Sequence, residues 1–140
     1  MIEIVNRQRK IKIDAEIFQD FAVKAITLIP EAIGKAVVIA FVSDRKMREL
    51  NGTFRGKNLT TDVLSFPFEA DEFDQNNLGD IAISLEQAAR QAKENNLTFS
   101  TEIKQLILHG ILHLCGYDHE NDNGEMNSLE VQLRDKLLID

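Results

Sequence analysis

The sequence has few residues that would crosslink or interrupt a fold, and it has no long apolar run. One of its 140 residues is cysteine and two are proline, which excludes an internal disulfide and argues against a proline-rich linker. The longest apolar runs, such as Ala36–Val42, are far too short to cross a bilayer. We therefore expect a single domain over residues 1–140 with no membrane partner.

Two further absences bear on where the protein acts. Nothing in the cysteine content indicates an oxidising compartment, and residues 1–12 lack the continuous apolar stretch of a signal peptide. The predicted location is therefore the cytoplasm. The formal net charge of −7 argues against non-specific binding to nucleic acid, which relies on many cations. Residues 44–57 nevertheless carry five basic and two acidic residues, which fits either a solvated face or one basic surface.

Alternating apolar residues and helix-capping signals predict a mixture of strands and helices. Strands are predicted around Ile2 and Ile4, around Ile11 and Ile13, and at 35–43, 61–68 and 78–84, with Pro67 favouring an edge strand. Helices are predicted to begin at Asp14, Asp44, Ser84 and Ser100, with a last helix over 124–139. In the first helix the apolar face is predicted to include Ile17, Phe21, Ala25 and Leu28. This order predicts an α+β fold with a small mixed, mostly parallel, four-stranded sheet and surrounding helices.

All three histidines lie in the segment HGILHLCGYDH, residues 109–119. His109 and His113 are four residues apart on a predicted helix and therefore share one face. Gly116 can end that helix in a turn that returns His119 to the same point. Three imidazoles with an open fourth position are typical of a catalytic zinc site, whereas a structural site fills that position. The alternative is three histidines with ordinary hydrogen bonds.

The helix that carries these histidines is apolar almost all round, which predicts that it is buried. Burying two unpaired imidazoles would cost free energy, and a metal ion would satisfy them. We therefore expect a central buried metal-binding helix, as in zincin-like folds, and one metal ion, predicted to be zinc. Nickel, copper or iron would suit the same donors. Cys115 faces away from the histidine pair and is predicted to be a buried apolar residue.

The spacing H-x3-H-x2-G-x2-H is that of the metzincin proteases, with one difference. Those enzymes carry glutamate directly after the first histidine as the general base, and this chain has Gly110 there. The difference argues against peptide hydrolysis by that mechanism. It leaves metal-activated water as a nucleophile, because zinc lowers the pKa of bound water to about 7.

Three segments together resemble a known family: HGILHLCGYDHE at 109–120, NGTFRGKNLTTDVLSFPF at 51–68 and LGDIAIS at 78–84. In order and spacing they are similar to the YbeY-type bacterial endoribonucleases, also called rRNA maturation factors. The resemblance implies a metal-dependent, single-strand-specific endoribonuclease of the cytoplasm. It further implies 3′-end maturation of small-subunit rRNA, ribosome quality control and contact with small-subunit proteins. It implies a metal held by His109, His113 and His119, and it places the family's important arginine at Arg55.

Phosphodiester cleavage develops negative charge on the phosphate, so the predicted catalytic residues are Arg55 and the metal ligand His113. A guanidinium meets two phosphate oxygens at once, and Arg55 is predicted to lie in a glycine-flanked loop. Arg55 and Lys57 are the predicted substrate-binding residues; an exposed loop charge is the alternative for Arg55. The sequence does not decide whether the nucleophile is metal-activated water or a ribose 2′-hydroxyl.

Several other residues are secondary candidates. Those for the lining of the cleft are Thr61, Asp62 and Ser65, those for orienting an imidazole are Asp118, Glu120 and Glu102, and those for base stacking are Phe54, Phe66 and Phe68. Ordinary capping, solvent exposure and core packing are the competing interpretations. Two rival functions stay open: a non-catalytic ribosome-associated protein with a structural metal, and a metallohydrolase of another substrate, including peptides.

Overall fold

The computed structural model describes residues 1–68, 76–118, 122–137 and 139. The strands are β1 (Ile2–Asn6), β2 (Ala36–Val42), β3 (Val63–Pro67) and β4 (Asn77–Ser84). The helices are α1 (Ala15–Thr27), α2 (Asp44–Arg55), α3 (Leu85–Glu94), α4 (Phe99–Leu114) and α5 (Glu125–Lys136), with a 3-10 turn at Pro30–Ala32. In the described residues, no helix combines the length and apolar character needed to cross a membrane.

The four strands form one mixed sheet in the order β1-β2-β4-β3. The pairs β1–β2 and β2–β4 are parallel, and β3 runs antiparallel to β4 at the edge. Pro67 ends this edge strand, where its missing N–H breaks no central ladder. The predicted α+β class and the mostly parallel four-stranded sheet are therefore confirmed.

The two faces of the sheet carry different helices. One face holds the main core, which includes Phe41 and Ile81 of the sheet, Phe18 of α1 and Ile107 of α4. The other face carries α2, whose Met47 packs in a smaller cluster of Val42, Leu64 and Ala82. Helix α2 leaves part of this second face uncovered, next to Val38 and Ala40 of β2.

Helix α4 approaches the sheet closely at Gly110. A Cβ atom at this position would lie 2.9 Å from Cδ1 and 3.0 Å from Cγ2 of Ile81 on β4. The hydroxyl of Ser65 on β3 also donates a hydrogen bond to the Gly110 carbonyl, over 3.3 Å. The absence of a side chain at 110 therefore lets α4 lie against the sheet, with His109 and His113 next to the edge strand.

The predicted strand at Ile11 and Ile13 is wrong. Both residues are half-buried against the core, but neither belongs to a strand. Gln8 takes the place of a neighbouring strand: its Oε1 accepts from the Ile11 N–H at 2.9 Å and its Nε2 donates to the Ile11 carbonyl at 2.7 Å. Alternating apolar residues indicate only that one side of an extended segment is buried. A segment that is held by side-chain hydrogen bonds therefore shows the same pattern as a strand.

Asp14 caps α1 as predicted, but the caps of α2 and α4 differ from the prediction. Ser43 caps α2 and Thr98 caps α4, in place of the predicted Asp44 and Ser100. Asp44 instead accepts from Ser84 at 2.6 Å and pairs with Arg90 at 2.7 Å. Burial opposes ionisation of Asp44, but these hydrogen bonds and the Arg90 charge lower its pKa overall. The network joins the start of α2 to the start of α3 and thereby orients α2.

The buried face of α1 also differs from the predicted one. Ile17 and Leu28 are 48% and 38% exposed, and Phe18, Ala22 and Ile26 are buried in their place. Phe21 and Ala25 are buried as predicted. Apolar residues occupy so many positions in this helix that they fit two overlapping faces, and packing on β1 selects one of them.

The position of Arg55 is a further correction. Helix α2 continues to Arg55, and Gly56 ends it with a φ of 66°, a left-handed conformation that favours glycine. Arg55 therefore lies in the last turn of a helix and not in a loop. The side chain of buried Asn51 donates to the Leu59 carbonyl at 2.8 Å and holds the following loop against the same turn.

Candidate functional site

His109 and His113 lie one turn apart on α4, as their spacing predicts. Their Nε2 atoms are 2.9 Å apart, and their ring centroids are separated by 4.5 Å at an interplanar angle of 75°. Both side chains are partly exposed, with the His109 side chain at 28%. The two imidazoles therefore converge on one point that solvent can reach.

That point lies in a cleft of about 630 Å³. The cleft is formed by α4, the edge strand β3, the last turn of α2 and the turn that follows α4. It is lined by Arg55, Thr61, Asp62, Val63, Leu64, Ser65, Pro67, His109, His113, Gly116, Tyr117 and Asp118. A cleft of this size admits part of a polymer as well as a small molecule.

Arg55 and Lys57 have different positions, although the sequence pairs them. The structure places Arg55 in the lining of the cleft with both histidines. Lys57 is exposed and does not line this cleft; its backbone N–H donates to the Asn51 carbonyl at 3.3 Å. Of the two predicted substrate-binding cations, only Arg55 lies where it can meet a group bound beside the histidines.

The polar residues of β3 and its approach are held by hydrogen bonds. Asp62 accepts from the Val63 N–H at 2.8 Å and from Nε2 of Gln91 at 3.1 Å. Ser65 donates to the Gly110 carbonyl, as described above. Both residues line the cleft and also fix the strand against α3 and α4, so the structure combines the two interpretations that the sequence left open.

A carboxylate that sequence reasoning missed contacts His109. Oε1 of Glu130, on α5, lies 2.7 Å from Nδ1 of His109, and its side chain is only 6% exposed. The other oxygen of Glu130 accepts from Arg134 at 3.2 Å. A carboxylate at Nδ1 fixes the imidazole orientation and leaves Nε2 directed into the cleft.

No signal in the sequence identifies Glu130. It lies 21 residues after His109, in a different helix, and only the packing of α5 on α4 brings the two together. Of the carboxylates proposed for this role, Asp118 lines the cleft and Glu120 lies outside the described residues. Glu102 is buried and accepts from Gln91 Nε2 at 3.0 Å, so it supports the contact between α3 and α4.

Cys115 is not in the lining of the cleft. It is half-buried against the main core. Burial, with a smaller contribution from the Glu31 carboxylate, raises the pKa of its thiol to about 11. A thiol with that pKa is protonated at neutral pH, which makes it a poor nucleophile.

The third predicted metal ligand, His119, lies outside the residues that the structure describes. In the part of the chain that is described, no group of three or more His, Cys, Asp or Glu side chains could hold a metal ion. The structure thus supplies two converging imidazole nitrogens, and the carboxylate of Glu130 orients the His109 ring. The metal site itself stays a prediction.

Comparison with known proteins gives a consistent result. Residues 3–138 match the family model described as endoribonuclease YbeY. The protein named endoribonuclease YbeY from Thermodesulfovibrio yellowstonii is 37% identical over 151 residues, covering 98% of this chain and 94% of the relative. The protein of the same name from Carboxydothermus hydrogenoformans is 45% identical over 121 residues, covering 85% and 83%.

A solved structure agrees with the fold. The solution structure of TM1509 from Thermotoga maritima superposes with a TM-score of 0.68 and 29% sequence identity. The match covers 98% of this chain and 89% of that one. The overall arrangement of strands and helices is therefore shared with a structure that was determined by experiment.

Proposed function

The chain belongs to the endoribonuclease YbeY family, whose members hydrolyse RNA and act in rRNA maturation, and we propose that it cleaves RNA in the cleft beside His109 and His113. The substrate is single-stranded, the step is 3′-end maturation of small-subunit rRNA together with ribosome quality control, and small-subunit proteins are the partners. The compartment is the cytoplasm. The observation that carries the location of the site is the convergence of two imidazoles and Arg55 on one cleft.

The donors fit a metal ion. Two nitrogen ligands at about 2.0–2.1 Å from a tetrahedral zinc lie roughly 3.3 Å apart, and the Nε2 atoms of His109 and His113 are 2.9 Å apart. With His119 as the proposed third ligand, α4 would be the metal-binding helix of a zincin-like fold. A zinc ion bound there supplies a Lewis acid for a phosphate oxygen and lowers the pKa of bound water.

The chain's own residues then have distinct tasks. His109 and His113 hold the ion, and Glu130 keeps the His109 ring in the orientation that binds it. Arg55 binds the phosphodiester group through paired hydrogen bonds and stabilises the charge that develops on its oxygens. Ser65 and Asp62 keep the edge strand in place beside the reacting group.

The fold also disfavours the peptidase alternative. A glutamate at position 110 would place its Cβ atom 2.9 Å from buried Ile81, so the general base of the metzincins does not fit on this helix as it lies. The non-catalytic alternative requires a fourth protein ligand to close the site. The solvent-accessible cleft next to His109 favours the enzyme.

Metal removal tests the proposed function. Protein stripped with a chelator is expected to lose cleavage of single-stranded RNA and to regain it when zinc is restored, since the ion supplies the Lewis acid. Elemental analysis of protein purified without an affinity tag identifies the native metal. Cleavage that survives complete metal removal would contradict a metal-dependent mechanism, and RNA binding without turnover would favour the structural-metal alternative.

Glu130→Gln provides a test that does not depend on activity. The amide keeps the size of the side chain but loses the charge that orients and polarises His109, so we expect zinc affinity to fall by about 10–100-fold. The measurement is competition with a chromogenic chelator. The matched control is Asp135→Asn, an exposed residue on the same helix with the same change in charge. Equal zinc affinity in the two variants would show that Glu130 has no orienting role.

A further inference from the structure

Phe54 is an exposed aromatic residue held in a fixed place. Its side chain is 63% exposed in the last turn of α2. The ring nevertheless packs edge-to-face on Phe66 of β3, with centroids 5.0 Å apart and an interplanar angle of 65°. Phe66 packs against the cluster formed by α2 and the second face of the sheet. An exposed ring fixed by a neighbour offers a surface to a ligand at little further entropic cost.

Phe54 and Arg55 point into two different depressions. Successive residues on a helix diverge by about 100°, and here Arg55 lines the cleft while Phe54 lines a groove of about 790 Å³ on the second face of the sheet. The edge strand separates the two: Ser65 faces the cleft and Phe66 faces the groove. A strand that leaves the cleft across this edge enters the groove that Phe54 lines.

The groove combines an apolar floor with two cationic side chains, Arg7 and Lys46, that can reach a bound strand. Its other lining residues are Arg7, Val38, Ala40, Val42, Lys46, Leu50, Asp80, Ile81 and Ala82. Arg7 and Lys46 supply two cations against the single carboxylate of Asp80, in a chain whose net charge is −7. Lys46 pairs with Glu49 at 3.6 Å, but both side chains are more than half exposed, so this ion pair is weak. Arg7 and Lys46 can therefore still donate to the phosphates of a strand that lies along the groove.

We propose that Phe54, supported by Phe66, stacks on a base of the RNA strand next to the phosphodiester bond held in the cleft. This inference rests on the proposed function, because it extends the path of the same substrate. Aromatic stacking needs an unpaired base and tolerates every base type, since each has a π-face. The arrangement therefore selects single-stranded RNA without selecting its sequence, and Arg7 and Lys46 hold the backbone as it continues along the groove.

Binding to single-stranded RNA tests the stacking contact. Stacking is worth about 1–3 kcal/mol per base, so Phe54→Ala is expected to weaken the binding of a fluorescent single-stranded oligoribonucleotide by about tenfold. Phe54→Tyr keeps a ring and is expected to bind as the parent does. The parent is His113→Ala, so that the RNA is not cut during titration. Equal affinity of the alanine and tyrosine variants would overturn the proposal and leave the groove to another occupant, such as a protein.

A spectroscopic probe separates stacking from mere proximity. The chain contains no tryptophan, so Phe54→Trp introduces a single indole whose fluorescence is expected to be quenched by single-stranded RNA but not by duplex RNA. The control is Ile33→Trp, at a residue that is 60% exposed and lines neither depression. Absence of quenching in Phe54→Trp, or equal quenching in both variants, would overturn the proposal.

The proposed cleavage activity and the stacking contact of Phe54 can be tested separately. If the wild-type protein with its metal cuts no RNA, the proposed function fails, whatever Phe54 does. If it cuts single-stranded RNA and Phe54→Ala has the same KM as wild type, the stacking site fails and the proposed function stands. The expected result is a KM raised by about tenfold in Phe54→Ala, with kcat changed much less, because Phe54 does not line the cleft.

Discussion

Replacing His113 with alanine is expected to lower kcat/KM for single-stranded RNA by at least about 10³-fold. His113 supplies one of two imidazole nitrogens that lie 2.9 Å apart in the cleft. Its loss would remove one of the proposed metal ligands, and with it several kcal/mol of transition-state stabilisation, where each 1.4 kcal/mol is about tenfold in rate. The measurement is cleavage of a labelled oligoribonucleotide, with the metal content of each preparation determined in parallel.

The control for this experiment is Gln105→Ala, a half-buried residue on the same helix that does not line the cleft. It is expected to retain cleavage and metal. Circular dichroism of both variants shows whether α4 still folds. Cleavage by the His113→Ala protein at the wild-type rate would place the reaction elsewhere or indicate a contaminating nuclease.

Arg55→Ala is expected to lower kcat/KM by about 10²–10³-fold while metal content stays unchanged. The guanidinium lines the cleft without belonging to the predicted ligand set, and removing one preorganised donor to a developing oxyanion has this magnitude. Arg55→Lys is expected to recover only part of the loss, because an ammonium does not form the paired contact that a guanidinium makes with phosphate. Steady-state kinetics with metal analysis separates this effect from that of His113→Ala.

Helix α2 provides a matched control for Arg55. Arg48 has the same charge on the same helix and borders a separate shallow depression with Arg45 and Asn58. Arg48→Ala is expected to change cleavage less than about threefold, since an exposed cation contributes mainly long-range attraction that salt screens. Equal losses in the two variants would reduce Arg55 to a general electrostatic contribution.

Much of the fold follows from the sequence, and the exceptions have physical causes. The β-branched run at 35–43 and the segment at 78–84 became the two central strands, because each has an apolar face that is buried in the main core, while the other face is only partly covered. The strand predicted at Ile11 and Ile13 is absent because hydrogen bonds with the Gln8 side chain replace those of a strand partner. The cap of α4 is Thr98 and not Ser100, because the Thr98 side chain accepts from the Thr101 N–H. Both candidates carry a hydroxyl and lie two residues apart, so the sequence did not distinguish them.

The candidate site, like the fold, could be predicted from the sequence only in part. Spacing alone dictated that His109 and His113 would share a face, because four residues make about one helical turn. Motif likeness, and not spacing, drew attention to Arg55. The contact of Glu130 with His109 depends on how α5 packs, so no local pattern announces it. Lys57 was grouped with Arg55 by proximity in sequence, and the end of α2 at Gly56 separates the two.

The close approach of α4 to the sheet at Gly110 constrains what this scaffold can become. A mutation that introduced glutamate there would have to displace Ile81, a residue 1% exposed in the middle of a central strand. Position 110 thus couples the helix to the strand beneath it, and a glutamate-bearing descendant of this scaffold would have to repack its core at Ile81.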